Sequence, residues 1–314
     1  VLIGPEPLVR LEPHPGVTGL AIGVFDGVHL GHQAVVRSLR ESCAALTFEP
    51  HPLAVIAPDR VPPRLTSLDQ KFVLLQQLGT VAVVAVKFDD DLRKLTPAQF
   101  VDELARVFPE LRRVAIGQNW SFGRNREGNA ARLAELAAAH GFTVNVIPPV
   151  ELDDAPVSST RIRAAILERR FADAARLLGR SYAVTGDVVP GDQRGRTLGF
   201  PTANLANVVQ LLPPRGVYAA HVRIDEEETS RPAVLNLGRR PTFTSNGTDS
   251  LEAHLLHFDG DLYGHSLEIS NLTFLRDEKS FPGPDALKAQ ITEDVAKARE
   301  LLVWCQTSSF KKSF

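Results

Sequence analysis

The chain has 314 residues, with 35 Lys and Arg against 37 Asp and Glu, a formal net charge of -2 at pH 7. That length exceeds one ordinary domain and is enough for two sizeable cores, while the balanced charge leaves no global field to gather nucleic acid or an anionic membrane. Cys43 and Cys305 lie in different halves without metal-type spacing, no run of about 18 apolar residues occurs, and the first residues lack a basic-then-apolar leader plan; the expectation is a cytoplasmic, soluble protein with reduced thiols and no zinc.

From Gly19 to about Arg170, short apolar runs alternate with helical patterns. The first run, 20–25, predicts a strand that leads into "GVFDGVHLGH", residues 23–32. His29, Gly31 and His32 therefore fall at a strand exit and a helix start, where free backbone N–H groups and the helix dipole favour an anion and glycine lets a phosphate approach. A lone histidine is more often a cap or a packing group; here the place at the carboxyl end of a parallel strand points to a ligand. Runs 44–48, 81–88, 114–117 and 142–147 complete a parallel sheet covered on both faces. Thr96, Pro97 and Gln99 mark a helix by cap, first-turn proline and capping box, with Phe100, Leu104 and Val107 as its buried stripe. Helices are also expected over 129–140 and 160–170. The strand ending at Gly117 continues into "QNWSFGR", polar and aromatic groups suited to a nucleotide. "VSSTRIR", 157–163, places three hydroxyls and two guanidiniums at another helix start, a phosphate clamp or, more plainly, caps and a solvated arginine face.

After Gly179 the texture becomes strands and turns, which sets domains at 1–179 and 180–314. Strands are expected over 182–189, 217–224, 233–237, 251–258 and 267–275, with the acidic 225–228 as a solvated hairpin tip. Between the first two lies "GDQRGRTLGFPTAN", residues 191–204: its glycines and arginines can wrap phosphate, and Thr202 and Asn204, in a Pro-Thr-Ala-Asn turn, can complete the shell of a Mg²⁺ that keeps waters and phosphate oxygens. In the strand over 251–258, Glu252 and His254 point away from the face of Leu251, Ala253 and Leu255. A final helix carries Leu287, Ile291, Val295, Ala298 and Leu302 on one side.

In this order, GVFDGVHLGH, TFEPHP (47–52), LTSLDQK (65–71), IGQNWSFG (116–123) and VSSTRIR resemble the FMN adenylyltransferase module of bacterial bifunctional riboflavin kinase/FAD synthetases, of the HxGH nucleotidyltransferase superfamily. The resemblance implies an α/β fold with a Rossmann-like parallel-sheet domain. It also implies that His29 and His32, with Gly31, bind the ATP phosphates and the transition state, that Asn119 helps hold the nucleotide phosphates, and that Ser159, Thr160 and Arg163 bind the outer ones. The family often carries an acid where this chain has Gln118 and Asn119. GDQRGRTLGFPTAN, NLGRRPTF (236–243), LEAH (251–254) and DLYG (261–264) resemble the riboflavin kinase module, a small antiparallel β-barrel closed by a helix. There Gly195, Arg196 and Gly199 would bind ATP, Thr202 and Asn204 the metal, and Glu252 matches the catalytic base. The implied reactions convert riboflavin and ATP to FMN and ADP, then FMN and ATP to FAD and pyrophosphate, with Mg²⁺ in both.

The two steps make different demands. An FMN phosphate oxygen is already anionic when it attacks the α-phosphorus, so the first site has only to align anions and offset their charge; a ribityl hydroxyl must lose its proton, which a positioned carboxylate accepts. A chain with one surviving activity, or a non-catalytic flavin sensor, would fit parts of the pattern, but a base beside a metal clamp is superfluous for binding alone.

Overall fold

The computed structural model describes residues 2–40, 42–191, 195, 198–239 and 249–307. Contacts divide the chain into two units, one running through Arg161 and including Leu177–Gly179, the other comprising Ile162–Arg176 and the chain from Arg180 onward.

In the first unit, Leu2–Glu6 (β1), Gly19–Ile22 (β2), Cys43–Glu49 (β3), Ala82–Lys87 (β4), Arg113–Gly117 (β5) and Thr143–Ile147 (β6) form one parallel sheet in the order β1-β4-β3-β2-β5-β6. The helices between them are Leu30–Arg37 (α1), Pro52–Ile56 (α2), Leu68–Gln77 (α3), Asp90–Lys94 (α4), Pro97–Val107 (α5) and Ala130–Ala139 (α6). The period of two along each strand separates two cores. Ala21, paired with Ala45 and Ala115, gives one face small side chains, on which Val35 and Val36 of α1 and Phe72 and Leu75 of α3 pack. The other face carries Leu20, Ile22, Leu46 and Val84 against Phe100 and Leu104 of α5 and Leu133 of α6. As the residues at 96–99 predict, α5 opens with a complete capping box, Thr96 accepting from the Gln99 amide at 3.2 Å.

Three local features differ from the sequence reading. The first residues, which carry no pattern of their own, supply edge strand β1 beside β4. The strand expected over 20–25 stops at Ile22, because Phe25 and Val28 adopt φ of 50° and 40° and leave the extended region. The helix expected over 160–170 ends early: Ser159–Leu167 (α7) is followed by Arg169 at φ 59° and a separate helix, Phe171–Leu178 (α8). Before α7, Glu151–Leu152 (β7) and Ala155–Pro156 (β8) form a small hairpin.

The second unit contains a closed antiparallel barrel of Ala183–Val189 (β9), Ala203–Ala206 (β10), Gly216–Ile224 (β11), Arg231–Arg239 (β12), Asp249–Leu255 (β13) and Ser266–Arg276 (β14), in the order β10-β13-β12-β11-β14-β9. Closure leaves no unpaired edge. The expected Pro-Thr-Ala-Asn turn instead runs into a strand, since Ala203 and Asn204 pair with Ala253 and Glu252. Residues 225–228 are the exposed tip between β11 and β12. Helix Pro284–Thr307 (α9) lays Ile291, Val295, Ala298 and Leu302 on Val217, Ala219 and Val234 of the barrel's outer face.

Candidate active sites

The strand order of the first unit already locates a cleft. The chain builds outward from β2 through β3 and β4, then returns to place β5 on the other side of β2, so the crevice lies beyond the carboxyl ends of β2 and β5. Those ends carry GVFDGVHLGH and the segment from Gln118.

His29 is the cap of α1, with Nδ1 accepting from the His32 amide at 3.4 Å, and the two imidazoles stack with ring centres 3.6 Å apart. His29 is 7% exposed, and a side chain at Gly31 would lie 3.1 Å from its ring. The turn that presents these rings is strained: the left-handed conformations of Phe25 and Val28 cost about 1–3 kcal/mol each. Buried hydrogen bonds hold it. The Asp26 carboxylate accepts from the amides of Leu65 and Thr66 at 2.9 and 3.2 Å, the Gly27 amide donates to the Thr66 hydroxyl, and the Thr47 hydroxyl donates to the Val24 carbonyl at 3.0 Å.

The Ser159 hydroxyl donates to the Asp26 carbonyl at 2.9 Å, which brings the start of α7 to the histidine turn. Thr160 follows and is exposed. Of the two guanidiniums in VSSTRIR, that of Arg161 is occupied by the hairpin, donating to the carbonyls of Leu152, Ala155 and Pro156 at 2.7–3.1 Å. Arg163 is grouped with the second unit. Gln118 and Asn119 are exposed at the end of β5, beside Trp120 stacked on Phe122 at 4.7 Å.

Sequence reasoning missed a set of buried polar groups behind this turn. Lys71, 5% exposed on α3, donates to the Thr47 hydroxyl at 3.4 Å. Burial pushes its ammonium pKa down, and the facing carboxylates of Asp26 and Glu49 oppose that fall. Glu49 is itself paired with Arg64 at 2.5 Å. The signal available was a lysine at a position on the inward stripe of α3, three residues after Leu68 and four before Leu75.

In the second unit, alternation along β13 buries Leu251, Ala253 and Leu255 and turns Glu252 and His254 outward, as the sequence predicts. The pairing of β13 with β10 and β12 sets Asn204 and Asn236 on either side of Glu252. The Thr202 hydroxyl donates to Glu252 Oε2 at 3.3 Å. His254 Nδ1 lies 2.8 Å from the Pro201 carbonyl, and since a carbonyl only accepts, that nitrogen carries the proton; the ring fastens the segment that carries Thr202. Asn204 is 8% exposed, and glycine is required at 191, where a Cβ would lie 2.1 Å from its Nδ2. Gly195 likewise runs close to the Phe200 carbonyl, and Gly199 has φ 87°. Arg196 and Phe243 lie outside the described residues.

Two cavities meet here. One of about 360 Å³ is lined by Glu252, Asn236, Phe200 and Phe281, with Leu287 and Ile291 of α9. The other, about 400 Å³, is lined by Val188, Ala203, Ala253, Phe258 and Tyr263. Both are of ligand size, and among the described residues Thr202 is the lining residue they share. Thr202, Asn204 and Glu252 offer hard oxygen donors, the type that suits Mg²⁺ with phosphate and water filling the remaining positions. No group of three or more His, Cys, Asp or Glu side chains gathers as a metal cluster among the described residues.

Two family models match the chain: FAD synthetase over residues 12–161 and riboflavin kinase over residues 178–302. A bifunctional riboflavin kinase/FMN adenylyltransferase of Escherichia coli K12 is 38% identical over 90% of this chain and 91% of its own length. One from Pseudomonas fluorescens is 39% identical over 94% and 96%. The solved structure of a Streptococcus pneumoniae protein described as a macrolide-efflux protein superposes with a TM-score of 0.80 at 27% identity, covering 95% of this chain and 98% of that one; among the described residues of the present chain, no helix is long and apolar enough to cross a membrane. Matches that span both units, on the segments that build the two clefts, make this chain a member of the bifunctional riboflavin kinase/FMN adenylyltransferase family.

Proposed function

We propose that this chain carries out both terminal steps of FAD synthesis in the cytoplasm: residues 180–314 phosphorylate riboflavin with ATP, giving FMN and ADP, and residues 1–179 adenylylate FMN with a second ATP, giving FAD and pyrophosphate. The observation that carries the kinase reading is the Thr202–Glu252 contact at the junction of two ligand-sized cavities. The aromatic cavity beneath α9 suits the flavin, and the cavity at Tyr263 suits the nucleotide. Glu252 takes the proton of the ribityl hydroxyl as its oxygen attacks the γ-phosphorus. Thr202 and Asn204 would hold Mg²⁺, whose charge would offset the negative charge that develops on the phosphates; zinc has no part. Gly195, Arg196 and Gly199 bind the ATP phosphates.

For adenylyl transfer, His29 and His32 at the start of α1 bind the phosphates and the charge that builds on them, with Gly31 allowing close approach. Ser159, Thr160 and Arg163 hold the outer phosphates and Asn119 assists. No base is needed, because the FMN phosphate is already ionised. The protein acts on small molecules, with neither nucleic acid nor membrane as partner. A chromatographic flavin assay with ATP and Mg²⁺ tests the whole reading: FAD forms from riboflavin and also from FMN, and H29A or H32A stops at FMN. FMN that persists unchanged with wild-type protein would refute the adenylyltransferase half.

A further inference from the structure

A buried ammonium needs a reason, because removing a lysine from water is costly unless opposite charge and hydrogen bonds replace the water. Lys71 has no place among the groups that contact phosphate in the reading above. It is 5% exposed, one turn into α3, where its amide donates to the carbonyl of the cap residue Ser67 at 3.0 Å. The charged groups that face it are Asp26 from the turn before α1, Glu49 from the end of β3, and Arg64, which is paired with Glu49.

The contacts lead toward the histidines. Lys71 Nζ donates to the Thr47 hydroxyl, leaving that hydroxyl's proton directed at the Val24 carbonyl, the first residue of the strained turn. Asp26, in the middle of the same turn, keeps its carboxylate on the Leu65 and Thr66 amides, while its carbonyl receives the Ser159 hydroxyl. A positive charge behind the turn therefore acts on it at two places, through the Thr47 hydroxyl and through the Asp26 carboxylate. Both phosphate-facing helix starts, α1 and α7, hang from that turn.

We propose that Lys71 is a positioning residue for adenylyl transfer, its ammonium fixing the turn from Val24 to Val28 that sets His29 and His32 against Ser159. This rests on the adenylyltransferase reading above. The role is one of alignment, so its loss falls on the transition state more than on the binding of FMN.

The test is steady-state FAD formation from FMN by full-length wild type, K71M and T47V, with riboflavin kinase turnover measured on the same preparations. Methionine keeps the length and apolar bulk of the stem while removing the charge; valine keeps the shape of Thr47 and removes the hydroxyl relay. For K71M the expected result is a fall in adenylyl kcat of at least tenfold, with KM for FMN within about twofold and kinase turnover unchanged. T47V is expected to lower adenylyl kcat about threefold to tenfold with the same split. Wild-type adenylyl kcat in K71M overturns the inference, and so does a raised KM at unchanged kcat, which would make Lys71 a substrate-binding group. If K71M leaves the first unit unfolded by circular dichroism, T47V decides: reduced kcat supports the relay and unchanged kcat overturns it. Inactive wild type would instead strike the adenylyltransferase reading itself.

Discussion

Replacing Glu252 by glutamine separates catalysis from stability in the barrel. The amide keeps the shape of the side chain and an oxygen that accepts the Thr202 hydroxyl, now 3.3 Å from Oε2. What folding loses is the difference between a hydrogen bond to a charged acceptor and one to a neutral acceptor, about 1 kcal/mol. What turnover loses is the base: general-base catalysis contributes about 10²–10⁴-fold, or roughly 3–5 kcal/mol of barrier at about 1.4 kcal/mol per factor of ten. E252Q is therefore expected to remain folded while FMN formation from riboflavin falls at least a hundredfold, as read by chromatography at saturating ATP and Mg²⁺. FAD formation from supplied FMN serves as the control, since it belongs to the other unit, and should be unchanged. FMN formation within threefold of wild type would refute the assignment of Glu252 as base.

Gly191→Ala would place a methyl 2.1 Å from Asn204 Nδ2 and 2.4 Å from its Cγ, and Asn204 is too buried to yield without shifting β10. Kinase kcat/KM should fall at least tenfold and the Mg²⁺ concentration for half-maximal rate should rise; wild-type values for both would show that Asn204 does not need that site. At the surface, the Asp225 carboxylate 2.6 Å from His265 Nδ1 raises the imidazole pKa, and the same bond, with one from the Ser266 amide, lowers that of Asp225. The histidine's contribution to stability is full below its unfolded value near 6.5 and is lost as pH rises through the elevated folded value; the aspartate's is full above about 3.8 and is lost as pH falls through the depressed one. The pair should therefore be strongest between about pH 4 and 6.5, and D225N should move the NMR titration midpoint of His265 back toward 6.5. An unmoved midpoint would dismiss the pair.

The parallel sheet was legible because each strand is a continuous apolar run, and α5 because its capping box lies within four residues. The placement of the histidines at a helix start and of Glu252 on the face of β13 opposite Leu251 and Ala253 was legible for a similar reason: these residues sit close in sequence to the element that presents them. What escaped depends on distant partners. Asp26 meets Leu65 and Thr66 across 39 and 40 residues, and Lys71 meets Thr47 across 24, so no local pattern announces either. Phe25 was misjudged because an aromatic residue favours extended backbone in isolation, whereas burial and the surrounding hydrogen bonds hold it left-handed. Asn204 looked like part of a turn because Pro-Thr-Ala-Asn has turn composition; its pairing with Val189 and Glu252 on flanking strands overrides that preference. Arg161 shows the converse, a guanidinium that belongs to a phosphate motif by position and to a hairpin's carbonyls by geometry.

Two cavities that share one threonine give the barrel separate doors. With nucleotide and flavin assigned to these cavities as proposed, a spent nucleotide would leave through one while the flavin stayed seated behind the other, and neither substrate would have to vacate its chamber for its counterpart to arrive. On that assignment traffic on the two sides would be uncoupled, with the phosphoryl group passing between them.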